Sequence, residues 1–275
     1  MSAAESKRAG TIAYREAAPD DFSGATVLCV HGFPETSYMW RHLLVELAEA
    51  GHRALAPDLV GFGETPPDSP ATWERQVEHL ERFRQALELE HVVLVVHDWG
   101  GLIGLRWACE NPDAVSGLVL SNTGFFADGK WHGMAEAMRT EGQGEQLVGN
   151  LTREALGSML ADMSRGFDEA AIDEYWKTFT SEEGRRGVLE LYHSGDFEKL
   201  EPYQGELARL AVPTLVLWGE HDAFAPLGAA HRFHAQLPDS KLVLLDAGHF
   251  LYADEPASCA REIVGFLKDS GAWSS

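Results

Sequence analysis

Basic residues are scarce in this chain: 22 Lys and Arg stand against 43 Asp and Glu among 275 residues, a formal net charge of −21 at pH 7. Such a balance repels phosphate backbones and anionic headgroups, which argues strongly against nucleic acid or an acidic membrane as a partner. Cysteine is scarce too. Three is an odd number, which makes a disulfide framework a poor expectation. Cys29 sits in the apolar run 27–30, and Cys109 and Cys259 fall in helical patterns, so all three are expected as small buried hydrophobes of a reducing compartment. Long apolar runs are lacking as well. The longest, residues 92–96, is far too short to span a bilayer. Residues 1–10 are polar with no hydrophobic stretch, so no secretory signal is visible. No Cys/His cluster has ligand spacing and no glycine-rich phosphate loop occurs, so neither a metal nor an organic cofactor is expected. These absences together point to a soluble, cytoplasmic protein. Its oligomeric state is not written in the sequence.

What is present is an ordinary globular composition, 45% hydrophobic, in a chain long enough to bury a large core. Short β-branched runs lie at 26–30, 53–56, 92–96, 117–120, 214–217 and 241–244. Between them run stretches with helical spacing, such as Trp40, Leu43, Leu44, Leu47 and Ala48. Alternation of this kind predicts an α/β fold, a mostly parallel sheet with helices on both faces. The rhythm breaks once. From 125 to 210 no strand pattern occurs, and helical patterns run through 134–139, 151–163, 170–179 and 188–192. The expected organisation is a core built from 1–124 and 211–275, with 125–210 as a helical cap.

Ligands of open parallel sheets sit beyond the carboxyl ends of the strands. Four predicted strand ends carry chemistry: His31-Gly32-Phe33-Pro34-Glu35, His97-Asp98-Trp99-Gly100-Gly101, Glu220-His221-Asp222 and Asp246-Ala247-Gly248-His249. Asp98 alone reads most simply as a helix N-cap. Placed after a buried strand and before Gly100-Gly101, it reads instead as the nucleophile of a sharp strand–turn–helix elbow. A carboxylate there suits displacement at an sp³ carbon, giving an ester that a base-activated water must then hydrolyse. His249 is the candidate base and Asp222 its orienting acid, in the chain order this architecture requires. The backbone N–H groups of Phe33 and Trp99 are the candidate oxyanion donors.

The motifs 31–36, 58–63, 97–101, Asp222 and Gly248-His249 resemble the α/β-hydrolase superfamily along nearly the whole chain. Within it they resemble the Asp-nucleophile branch of epoxide hydrolases and haloalkane dehalogenases. The resemblance implies an α/β-hydrolase fold with a helical cap and a covalent Asp98 intermediate. Residues 31–36 followed by Tyr38-Met39-Trp40-Arg41 look like an epoxide hydrolase, and Phe33 stands where many dehalogenases carry a halide-binding Asn. Tyr192 stands where epoxide hydrolases have a proton-donating cap tyrosine. Val96 and the absence of tyrosine from 125 to 170 look more like a dehalogenase, whose second halide donor would then be Trp131 or Trp176. The leading expectation is an epoxide hydrolase using Asp98, His249, Asp222 and Tyr192. The alternative is a haloalkane dehalogenase with the same triad, and a binding protein on the same fold comes third. The acidic surface and aromatic-rich cap suggest a small, neutral, lipophilic substrate.

Overall fold

The computed structural model describes residues 4–237 and 239–271. The first three residues of the polar 1–10 stretch and residues 272–275 therefore lie outside the described residues. Eight strands form one sheet: β1 (Glu5–Ala9), β2 (Ile12–Ala17), β3 (Thr26–Val30), β4 (Arg53–Pro57), β5 (Val92–His97), β6 (Val115–Ser121), β7 (Thr214–Gly219) and β8 (Ser240–Leu245), in the order β1-β2-β4-β3-β5-β6-β7-β8. From β4 to β8 every neighbouring pair is parallel. The fold is the α/β-hydrolase fold. Strands β5 and β7 are buried along their whole length, which is why their sequences read as unbroken apolar runs rather than alternating ones.

The β1–β2 hairpin is the part of the sheet that the sequence reading did not anticipate. Both strands pair antiparallel, β1 with β2 and β2 with β4. Strand β1 is largely exposed and charged, as an edge strand should be if it is not to recruit another sheet. In β2 the period is masked by Glu16. Its buried carboxylate accepts from Lys7 Nζ at 2.8 Å and Arg53 Nε at 2.7 Å, so a charge sits where an apolar residue would announce a strand.

Between β6 and β7 the described chain is helical, with helices Gly133–Arg139, Gln143–Gly149, Arg153–Met163, Glu169–Trp176 and Glu182–Ser194 joined by turns. The helix Gln143–Gly149 has no counterpart in the sequence reading. The 188–192 pattern proves to be the C-terminal half of Glu182–Ser194, which starts at a Ser181 cap whose Oγ accepts the Gly184 N–H. Polar bonds fasten this helix to the sheet side. Glu190 accepts from the Ser69 hydroxyl at 2.6 Å and the Ala71 N–H at 2.7 Å, and Ser194 Oγ accepts from the Trp73 N–H at 2.8 Å. All three cysteines are free. Cys29 and Cys259 are buried as expected, but Cys109 is only half-buried, next to the exposed Glu110 at the C-terminal end of its helix. No helix among the described residues is long and apolar enough to cross a membrane.

Candidate active site

Asp98 does not cap the helix that follows it. Its backbone takes φ +49° and ψ −124°, and its side chain makes no capping bond. Such a conformation costs about 1–3 kcal/mol for a non-glycine residue. The surrounding bonds hold it there: the Asp98 N–H donates to Asn122 O at 3.2 Å, and the Asp98 carbonyl accepts from Thr123 Oγ1 at 2.7 Å. The strain is bought with close approach. A Cβ on Gly100 would lie 2.1 Å from the Val30 carbonyl oxygen, and one on Gly32 would lie 2.3 Å from Asp98 Oδ1. Only glycine at these two places lets the β3 and β5 ends close on one carboxylate.

The geometry brings the three triad candidates together. Asp98 Oδ2 lies 3.5 Å from His249 Nε2, and Asp222 Oδ2 lies 2.7 Å from His249 Nδ1. Asp222 is held by three further donors: Asn122 Nδ2 at 2.6 Å, the Phe224 N–H at 2.6 Å and the Ala225 N–H at 3.0 Å. Burial works against the charged forms of all three groups, but the mutual pairing wins. His249 is raised to about 10 because the Asp222 and Asp98 carboxylates flank it. Asp98 is lowered to about 2 by His249, with His97 and the Phe33 N–H helping. The geometry sets the His249 imidazole as a sandwich between two carboxylates, an arrangement that favours its protonated form.

Phe33 donates its backbone N–H to Asp98 Oδ1 at 2.8 Å, so one of the two expected oxyanion donors already holds a carboxylate oxygen. Above Asp98 opens a cavity of about 390 Å³, lined by Trp99, Trp131, Tyr192 and Phe224 among others. Trp131 stacks on Trp99 with ring centroids 5.2 Å apart. Tyr192 is buried edge-on to Trp99 and to Phe33, at 5.3 Å from each. Its phenol is held well above the ordinary range by burial and by the Asp98 charge, while the Trp99 side chain pulls the other way. Trp176, the other candidate halide donor, is not brought to the cavity. It stacks on Phe179 at 5.9 Å and lies under Arg185, so the halide-donor expectation for it is withdrawn.

Some motif residues prove to brace loops. His31 accepts the Leu59 N–H at Nε2 (3.0 Å) and bonds the Gly32 carbonyl through Nδ1, while Asp58 gathers the Ser37 and Glu64 N–H groups. Sequence reasoning gave no role to a buried pair behind His249. Glu35 Oε2 lies 3.3 Å from His97 Nε2, and the His97 ring lies 4.7 Å from the His249 ring. The motif residues Glu35 and His97 were visible, but nothing local shows that they meet.

Residues 25–256 match the family described as alpha/beta hydrolase fold. The chain belongs to that family. This α/β-hydrolase is 30% identical to a haloalkane dehalogenase of Mesorhizobium japonicum, over 94% of its own length and 88% of the relative's. It is also 30% identical to one of Psychrobacter cryohalolentis, over 89% and 84% of the two chains. A solved haloalkane dehalogenase from Bradyrhizobium elkani superposes with a TM-score of 0.82 at 25% identity, covering 99% of this hydrolase and 97% of that chain. An epoxide hydrolase from Vigna radiata superposes with a TM-score of 0.80 over 97% and 98% of the chains, at 23% identity. At that identity the likeness speaks for the fold alone. This chain is a haloalkane dehalogenase-like hydrolase.

Proposed function

We propose that this hydrolase cleaves carbon–halogen bonds of small, neutral, lipophilic substrates through an Asp98 ester. The observation that carries the reading is the strained Asp98 carboxylate, 3.5 Å from an imidazole that is itself held by Asp222, on the floor of an apolar cavity. The haloalkane dehalogenase relatives at 30% identity support this choice over epoxide opening, which led on motifs alone.

In the first step Asp98 Oδ2, the oxygen not tied to Phe33, attacks the sp³ carbon. The C–O bond forms, the C–halogen bond breaks, and the halide departs with the bonding pair towards the Trp99 and Trp131 side. Alkylation removes the Asp98 charge. His249 then keeps only one of its two flanking carboxylates, so its proton is held less tightly and passes to solvent. The neutral Nε2 takes a proton from water, and the hydroxide adds to the Asp98 carboxyl carbon. The Phe33 N–H, with that of Trp99, holds the oxyanion, a contribution of about 3–4 kcal/mol per donor in comparable sites. Collapse expels the alkoxide, which takes the proton from His249 and leaves as the alcohol; the Asp98 carboxyl, left with the hydroxyl proton, passes it to His249 and returns to the carboxylate. The first step thus switches on the base for the second.

One observation favours epoxide opening as a second reading: the Tyr192 phenol is buried in the same cavity, close enough to feel the Asp98 charge. A phenol there would protonate the opening oxygen. Incubation of the pure protein with 1-bromobutane and, separately, with styrene oxide tests both. Bromide release with little diol supports the dehalogenase reading; diol without bromide overturns it.

A further inference from the structure

One buried residue ties together the strand ends that carry the triad, and the mechanism has not used it. Asn122 follows β6, is fully buried and takes φ +42°, a left-handed conformation that Asn adopts more readily than most residues. Its backbone carbonyl accepts the Asp98 N–H at the β5 elbow, at 3.2 Å. Its side-chain Oδ1 accepts the Gly219 N–H at the end of β7, at 3.0 Å. That bond anchors the amide oxygen and turns Nδ2 towards Asp222. Nδ2 donates to Asp222 Oδ2 at 2.6 Å, the same oxygen that His249 Nδ1 meets at 2.7 Å. Asp222 Oδ1 is already taken by the Phe224 and Ala225 N–H groups. His249 therefore has only Oδ2 to turn to, and Asn122 shares it.

We propose that Asn122 is a positioning residue for ester hydrolysis: by occupying one side of Asp222 Oδ2 it limits the hold of that carboxylate on the His249 proton. The proposal rests on the Asp98-ester reading above and deepens its second step. While Asp98 is ionised, two carboxylates flank His249 and the proton stays. Once Asp98 is an ester, Asp222 alone decides how readily the imidazole becomes the base. A carboxylate that shares its charge among several N–H donors attracts a neighbouring cation less than one with a bare lone pair. Burial works against the Asp222 charge, and His249, Asn122 and the Ala225 N–H overcome it. Deleting the Asn122 donor leaves Oδ2 to His249 alone and tightens the proton on the ring. The other titratable groups around His249 are Asp98, His97 with Glu35 behind it, and His132 beyond the Phe224 ring, and the deletion leaves them in place.

Asn122→Gly removes both side-chain bonds but keeps the positive φ and the carbonyl that holds Asp98. Asn122→Ser fills more of the space, its hydroxyl ending a bond short of both partners, and serves if the glycine variant does not fold. The Asp98 adduct is formed with 1-bromobutane, and its hydrolysis is followed from about pH 6 to 10 by rapid quench and mass spectrometry. Adduct formation should stay within about threefold of wild type. The acid limb of adduct hydrolysis should move up by about half to one pH unit. Hydrolysis is then about three- to tenfold slower at the acid end and reaches the wild-type rate at the alkaline end. In the Asp222→Asn background, where no carboxylate is left to share, Asn122→Gly should slow hydrolysis no further. An unmoved or lowered limb, or a loss equal at every pH, overturns the assignment, makes Asn122 a packing residue and leaves the covalent reading standing. If 1-bromobutane gives no wild-type adduct, the carbon–halogen reading fails; styrene oxide then supplies the ester, and the same limb tests Asn122. A wild type that forms an adduct with neither overturns the Asp98 ester, and the Asn122 role falls with it.

Discussion

Replacing Asp222 by Asn tests the two-step scheme at its most constrained point. Asp222 Oδ1 accepts two backbone N–H groups, from Phe224 at 2.6 Å and Ala225 at 3.0 Å, while Oδ2 faces Asn122 Nδ2 at 2.6 Å and His249 Nδ1 at 2.7 Å. Every neighbour is a donor, and an amide has one acceptor oxygen. The two backbone donors fix that oxygen at the Oδ1 place, so the amide nitrogen must point at Asn122 and His249. His249 can accept from it only with a bare Nδ1, which puts its proton on Nε2 and aims that proton at Asp98. An imidazole in this tautomer cannot take a proton from water. The corresponding change in another His–Asp pair costs about 10⁴ in turnover. Ester hydrolysis here should fall by about 10³–10⁴, roughly 4–5.5 kcal/mol. Alkylation needs only the Asp98 carboxylate and should fall by less than about tenfold. Rapid-quench mass spectrometry with 1-bromobutane should therefore show adduct accumulating on the peptide that carries Asp98. Steady turnover within about tenfold of wild type, or a folded variant that forms no adduct, would refute the reasoning.

Three further outcomes are expected. His249→Gln should alkylate once and stop, leaving one adduct per chain by mass spectrometry; an unmodified folded variant after long incubation sinks the covalent scheme. Tyr192→Phe should leave bromide release within about threefold and lower any epoxide opening by at least about tenfold, roughly 1.4 kcal/mol; equal losses in both assays would make Tyr192 a packing residue only. The triad also makes stability pH-dependent. The His249 pKa is raised by folding, so its contribution is full below its ordinary value near 6.5 and is lost as pH rises towards about 10. The urea midpoint should fall between pH 7 and 10, and fall less in His249→Gln. Asp98 acts in the opposite sense, losing its contribution as pH drops from its ordinary 3.8 towards about 2. A midpoint that rises between pH 7 and 10 contradicts the sandwich.

The parallel part of the sheet was legible because burial on both faces leaves an unmistakable mark. Residues 92–96 and 215–218 are apolar without interruption, and both lie in strands with no exposed position. The hairpin was not legible, because its stability comes from pairing at a sheet edge rather than from a buried apolar run. Glu16 illustrates the difficulty: a charge reads as surface until Lys7 and Arg53 are seen to close on it. Helix Gln143–Gly149 escaped notice for a related reason. Only Gly144 and Val148 of it are buried, too few to set up a period.

Site residues divide in the same way, between those marked by local chain geometry and those that only tertiary contact brings together. Asp98 is marked locally. A sharp turn between a buried strand and a helix needs Gly100 to clear the Val30 carbonyl, and that requirement is written beside it as Gly100-Gly101. Glu35 and His97 carry no such mark. They meet because β3 and β5 are neighbours in the sheet, an adjacency that skips β4 in the sequence.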